Sequence, residues 1–90
     1  MTQHEQILKR LRNATGTMDG DITDSDGNIW VDGVWFLSQY MPTYSQRIGE
    51  LIEDGHAILR CQRSDIRPLE KNEANVGCYR MEQVQLKWGI

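Results

Sequence analysis

Gln46 and Arg47 carry the side chains of this chain best suited to reading a nucleic-acid base. A glutamine amide offers adenine a paired donor and acceptor, and a guanidinium takes two acceptors of guanine or one phosphate. Both stand in Thr43-Tyr44-Ser45-Gln46-Arg47-Ile48-Gly49-Glu50-Leu51-Ile52. There Tyr44, Ile48, Leu51 and Ile52 recur on one helical face, and Thr43, Gln46, Arg47 and Glu50 take the other. Glu50 would accept only from cytosine and repels phosphate. Four more cations, Arg60, Arg63, Arg67 and Lys71, follow downstream, diluted by Asp65, Glu70 and Glu73. The bland alternative for Arg47 is a solvated side chain paired with Glu50 or Asp54, an arrangement that contributes little.

Other chemistries find less support. His4 and His56 fall on different elements with no Cys, Asp or Glu at ligand spacing, and Ser38, Ser45 and Ser64 lack the glycine pattern of a nucleophile elbow. Asp24-Ser25-Asp26-Gly27-Asn28 superficially resembles a calcium loop, but an EF-hand started at Asp24 needs glycine where Ile29 stands and a bidentate glutamate where Trp35 stands. An acidic solvated loop is the better reading. Such a loop could disfavour non-specific contacts with nucleic acid or dock on a basic protein. Cys61 and Cys78, without further Cys or His at metal spacing, read as two buried thiols on facing strands. The expectation is a non-enzyme with no catalytic residues, no metal and no cofactor.

Ninety residues make one modest core and leave little room for a substrate cleft, so a binding module is favoured. No apolar run reaches the roughly 18 residues of a membrane span, and Met1-Thr2-Gln3-His4-Glu5 lacks the plan of a signal peptide; a cytoplasmic protein without a membrane partner is expected. The net charge of −3 is an awkward sign for a nucleic-acid binder, but it is unevenly placed. Asp19, Asp21, Asp24, Asp26, Asp32, Glu50, Glu53 and Asp54 crowd the middle against Arg47 alone, whereas both ends carry more Lys and Arg than Asp and Glu.

Several elements must position these side chains. Thr2 and Glu5 form a capping-box pattern ahead of His4, Ile7, Leu8 and Leu11, which predicts a helix over about 3–13 with Lys9, Arg10 and Arg12 mostly in solvent. Residues 15–28 read as an exposed acidic loop, and Ile29-Trp30-Val31 as a short strand at its end. Asp32 is placed to cap a second helix over Val34 to Tyr40, which Pro42 ends. Thr43 and Gln46 supply another capping-box pattern for the third helix, stopped by Gly55. Two antiparallel strands, 58–63 and 76–81, are expected around the polar stretch 62–75. Val84, Leu86, Trp88 and Ile90 alternate in the opposite phase, which predicts a distinct final strand over about 84–90.

The order of these pieces, with Arg47-Ile48-Gly49-Glu50-Leu51 leading to Asp54-Gly55-His56-Ala57-Ile58 and closing on Tyr79-Arg80-Met81, resembles the winged helix-turn-helix domain in the small form common among phage and prophage proteins. Two departures stand out: the turn before the third helix is Gln39-Tyr40-Met41-Pro42 where many relatives have glycine, and the loop before Trp30 is long. The resemblance implies an α+β fold of three helices and a small antiparallel sheet spanning 1–90. It implies double-stranded DNA as partner, with Thr43, Gln46 and Arg47 in the major groove and Arg60, Arg63, Arg67 and Lys71 tracking the backbone, as in a small transcriptional regulator. The rival reading is a winged helix that binds protein, such as a phage factor inhibiting a host protein through its acidic surface. A homodimer through the C-terminal strand is a further expectation.

Overall fold

A computed structural model of the chain describes residues 2–82. Helix α1 (Gln3–Arg12) starts where expected: the Thr2 hydroxyl accepts the Glu5 backbone N–H at 3.2 Å and donates to the Glu5 carboxylate. It buries Ile7 and Leu11 but also Arg10, a correction to the solvent-facing role expected of that arginine. Residues 15–28 are likewise more ordered than an acidic loop. Strand β1 (Asp21–Thr23) pairs with β2 (Ile29–Asp32) in an antiparallel hairpin, with Thr23 opposite Ile29 and Asp21 opposite Val31.

The Asp24 carboxylate organises the turn of that hairpin. It accepts the backbone N–H groups of Asp26 and Asn28, the Asn28 amide and the Trp30 indole N–H. These bonds, led by that from Trp30, hold its carboxyl at about 2. The alternating acidic residues are therefore turn chemistry of the Asx kind.

Helix α2 (Gly33–Ser38) begins at Asp32, whose Oδ1 accepts the Val34 N–H at 2.8 Å. It is shorter than the span to Tyr40 drawn from sequence. Tyr40 takes φ +60, the left-handed conformation that lets the chain reverse into α3 (Tyr44–Glu53). Thr43 makes no side-chain cap bond, contrary to expectation: its ψ of 21 is not that of an extended N-cap, and the Met41 carbonyl takes the Tyr44 N–H instead. At the other end Gly55, at φ +98, closes a Schellman motif in which its N–H reaches the Ile52 carbonyl and that of His56 reaches Leu51.

Strand β3 (Ile58–Gln62) and strand β4 (Gly77–Met81) pair antiparallel, and β4 also pairs with β2, giving the sheet order β1-β2-β4-β3. The register sets Cys61 directly opposite Cys78 as free thiols and Arg60 opposite Tyr79. Between them lies an unforeseen fourth helix, α4 (Arg63–Ile66). The described residues thus form a small α+β domain of four helices against a four-stranded antiparallel sheet. Its core joins Ile7 and Leu11 of α1, Val31, Phe36, Met41, Ile48 and Leu51, Ile58 and Tyr79. Phe36 stacks on Tyr44 at 5.2 Å and meets Tyr79 edge-on at 6.1 Å. The strand expected over 84–90, and the dimer built on it, lie outside the described residues.

Candidate nucleic-acid interface

The apolar residues of α3 dictate what remains for solvent. With Ile48 and Leu51 buried, the helix leaves Thr43, Ser45 and Gln46 exposed at its N-terminal end and Arg47 half-buried at its side. Arg47 donates to Glu50 at 3.1 Å, and Glu50 also meets His4 Nε2 of α1 at 2.9 Å. The His4 hydrogen bond, followed by that from Arg47, lowers the Glu50 carboxyl below its ordinary range. Arg47 thus has a protein partner, as the bland reading foresaw, and a phosphate must compete with it.

Beside the start of α3 runs a shallow groove of about 350 Å³, lined by Ser45 and, from the sheet side, by Arg60, Gln62 and Tyr79. Arg60 is exposed. Of the expected contacts Arg60 alone lines this groove, beside the acidic Asp65; Thr43, Gln46 and Arg47 do not border it. Ser45 and Gln62 line it without having been singled out; the exposed N-terminal end of α3 was the available signal for Ser45. Lys71 is exposed in the β3–β4 connection, next to Asn72 at φ +67.

Arg63 and Arg67 do not join this surface. They border another groove, shared with Asp19, Ile22, Val34 and Trp35. Arg63 is 7% exposed. Its Nε donates to Asp32 Oδ2 at 2.9 Å, Nη2 bonds the same oxygen, and Nη1 reaches the Ala74 carbonyl at 3.0 Å and Glu73 at 3.1 Å. Arg67 grips Glu73 with two bonds of 2.8 Å. That grip, helped by the Glu70 N–H, holds the Glu73 carboxyl at about 2. Of the acidic residues that seemed to dilute a basic loop, Glu73 instead binds its arginines and Asp65 accepts the Gln62 N–H at the start of α4.

Arg10 shows the same economy. Its Nη2 donates to Asp21 Oδ1 at 2.6 Å and to the Asp19 carbonyl at 2.7 Å, and its guanidinium lies 4.7 Å over the Trp35 ring. Asp21 Oδ2 takes the N–H groups of Thr15, Gly16 and Met18. Cys61 and Cys78 are unsuited to nucleophilic work, since burial pushes their thiols up to about 11 and about 12. Among the described residues no cluster of His, Cys, Asp and Glu is placed to hold a metal, and no helix is long and apolar enough to cross a membrane.

The class these observations define is a small α+β domain with an exposed helix end beside an edge strand. No family model matches the chain, and no match was found among characterised proteins or solved structures.

Proposed function

We propose that the domain is a winged helix-turn-helix that binds double-stranded DNA, in the manner of a small regulator. The observation that carries this reading is the placement of α3. The helix follows α2 through a tight left-handed turn, exposes Thr43, Ser45 and Gln46, and brings Ser45 into one groove with Arg60 of β3. The order α1, β1, β2, α2, α3, β3, α4, β4, with β4 seated between β2 and β3, is compatible with it. In this reading Thr43 and Gln46 face base edges, Arg47 exchanges Glu50 for a phosphate or guanine, and Arg60 and Lys71 neutralise backbone charge.

Because Arg63 and Arg67 are held by carboxylates, the interface has few free cations. Each neutralised phosphate adds about 0.9 to the slope of log affinity against log salt, so the slope should be shallow. A titration of random and mixed duplexes at low and rising salt tests the reading. Binding that weakens with salt and falls in both Gln46→Ala and Arg47→Ala supports it, and absence of binding at low salt sinks it. The same pairing of arginines favours a second reading, a winged helix that binds protein. Retention of a host protein together with no duplex shift at low salt would be its signature.

A further inference from the structure

Arg10 is 4% exposed, yet only part of its guanidinium is satisfied. Nη2 donates to Asp21 Oδ1 and to the Asp19 carbonyl, whereas Nε and Nη1, both shut off from solvent, find no acceptor among the described residues. The Trp35 ring, 4.7 Å from the guanidinium carbon, favours the charge but offers these N–H groups no oxygen. Buried donors are nearly always paired, so an interior arginine with two bare nitrogens departs from the rule. Asp21 turns its second oxygen elsewhere: Oδ2 accepts the N–H groups of Thr15, Gly16 and Met18. Its charge is thus divided between the arginine and three backbone dipoles, and Arg10 keeps part of its own unbalanced.

The same arginine lines a groove of about 400 Å³ between α1 and the α2–α3 turn, within the roughly 300–1,000 Å³ of small-molecule sites. The composition of that groove is one-sided. Lys9, exposed on α1, adds a second cation, and Gln6 and Gln39 bring amide donors, but no Asp or Glu among the described residues lines it. In a chain with 13 acidic residues against 10 Lys and Arg, that exclusion marks the groove for an anion. The remaining walls include Trp35, Met41 and the thioether of Met18. An inorganic anion would leave these apolar walls bare, and a nucleic-acid backbone would meet a single exposed lysine. A carboxylate carried on an apolar body suits both halves.

We propose that this groove binds a small organic carboxylate, whose oxygens accept from Lys9 and from the unpaired N–H groups of Arg10 while its apolar body lies against Trp35, Met18 and Met41. Entry displaces Met18 or Gln39, unbranched side chains that are both exposed. The site is independent of the duplex reading, since it shares no lining residue with the groove between Ser45 and Arg60.

Titration of the full, isotope-labelled chain with phenylacetate and with hexanoate, without nucleic acid, tests this through the Arg10 Nε–H and Trp35 indole N–H resonances. Both signals should move saturably with either acid, and far less with phenylacetamide, which keeps the ring and lacks the charge. Lys9→Glu, which puts an acid into the groove, should weaken phenylacetate binding roughly tenfold or more, and so should Arg10→Lys, which keeps a cation but loses the unpaired donors. Arg12→Glu makes the same change of net charge on the same helix outside the groove and should bind as the parent does. Should Arg10→Lys fail to fold, the contrast between Lys9→Glu and Arg12→Glu decides the matter. The proposal is overturned by no saturable shift with either acid, or by phenylacetamide or inorganic phosphate binding as well as phenylacetate. Equal affinity in Lys9→Glu and Arg12→Glu overturns it too, whatever the duplex titration shows.

Discussion

Arg60 and Arg63 stand three positions apart and meet opposite ends. Arg60, on β3 across from Tyr79, is exposed; Arg63, the first residue of α4, turns inward onto Asp32 and Glu73. Both belong to the same basic run in sequence. What separates them is a partner at fixed distance: Asp32, which caps α2, is buried there, and a buried carboxylate needs a cation. The comparison teaches that basic residues near a presumed interface become available only after the fold's own carboxylates have been neutralised.

Substitution at Arg63 is the largest way to sharpen that contrast. Arg63→Ala strands Asp32, and breaking a buried pair by removing one partner costs about 3–5 kcal/mol. A fall of that size in urea unfolding is the expected outcome. Arg63→Lys should rescue only part of it, since an ammonium cannot hold Asp32, Glu73 and the Ala74 carbonyl in the guanidinium's geometry. A variant as stable as the parent would show that α4 is not anchored there.

Arg60→Ala should do the reverse. Its effect on stability should stay within about 0.5 kcal/mol, as for an exposed site, while duplex affinity drops and the salt slope loses about one unit if the guanidinium meets a phosphate. Parallel salt lines for variant and parent would take β3 off the DNA.

Acid should next distinguish the scaffold from the surface. The Glu73 carboxyl lies at about 2 in the folded protein against an ordinary 4.5, so its stabilisation is complete above that ordinary value and is lost as pH falls toward 2. Unfolding followed by tryptophan fluorescence should show stability declining over this window. Glu73→Gln should flatten the decline, and an unchanged slope would argue against the Arg67–Glu73 grip. The smallest effect is chemical: with both thiols pushed up by burial, alkylation at neutral pH should be slow in the folded protein and rapid in denaturant, with half-buried Cys61 ahead of Cys78. Fast labelling of Cys78 in the native state would contradict the burial of its thiol.

The parts of the fold legible in sequence were those written in local periodicity and stop signals. Ile48, Leu51 and Ile52 mark α3 by their spacing, Gly55 ends it, and the facing positions of Cys61 and Cys78 follow from two strands of alternating pattern. What escaped was decided by contacts distant in sequence. Arg10 reads as a surface residue until Asp21 is folded against it across the hairpin, and Arg63 reads as a loop cation until Asp32 arrives from 31 positions away. Strand β1 was obscured because its three residues, Asp21-Ile22-Thr23, follow a glycine- and aspartate-rich stretch and gain strand geometry only by pairing with β2. Of the candidate contacts, the face of α3 was readable from helical phase, whereas the division of the arginines between surface and scaffold was not.

Gly33 gives the molecule a fixed hinge-free corner. A Cβ there would lie 2.6 Å from the Tyr44 hydroxyl and 2.9 Å from the Gly77 carbonyl, so the starts of α2, α3 and β4 converge on a residue with no side chain. Space at this corner is thus taken by the Tyr44 side chain from α3 and by the Gly77 backbone carbonyl from β4. Even one methyl group at 33 would have to displace the Tyr44 ring and press on the Gly77 carbonyl. Gly33 thereby ties the junction of β2 and α2 to both α3 and β4, so the seating of the helices on the sheet depends on a position that must stay without a side chain.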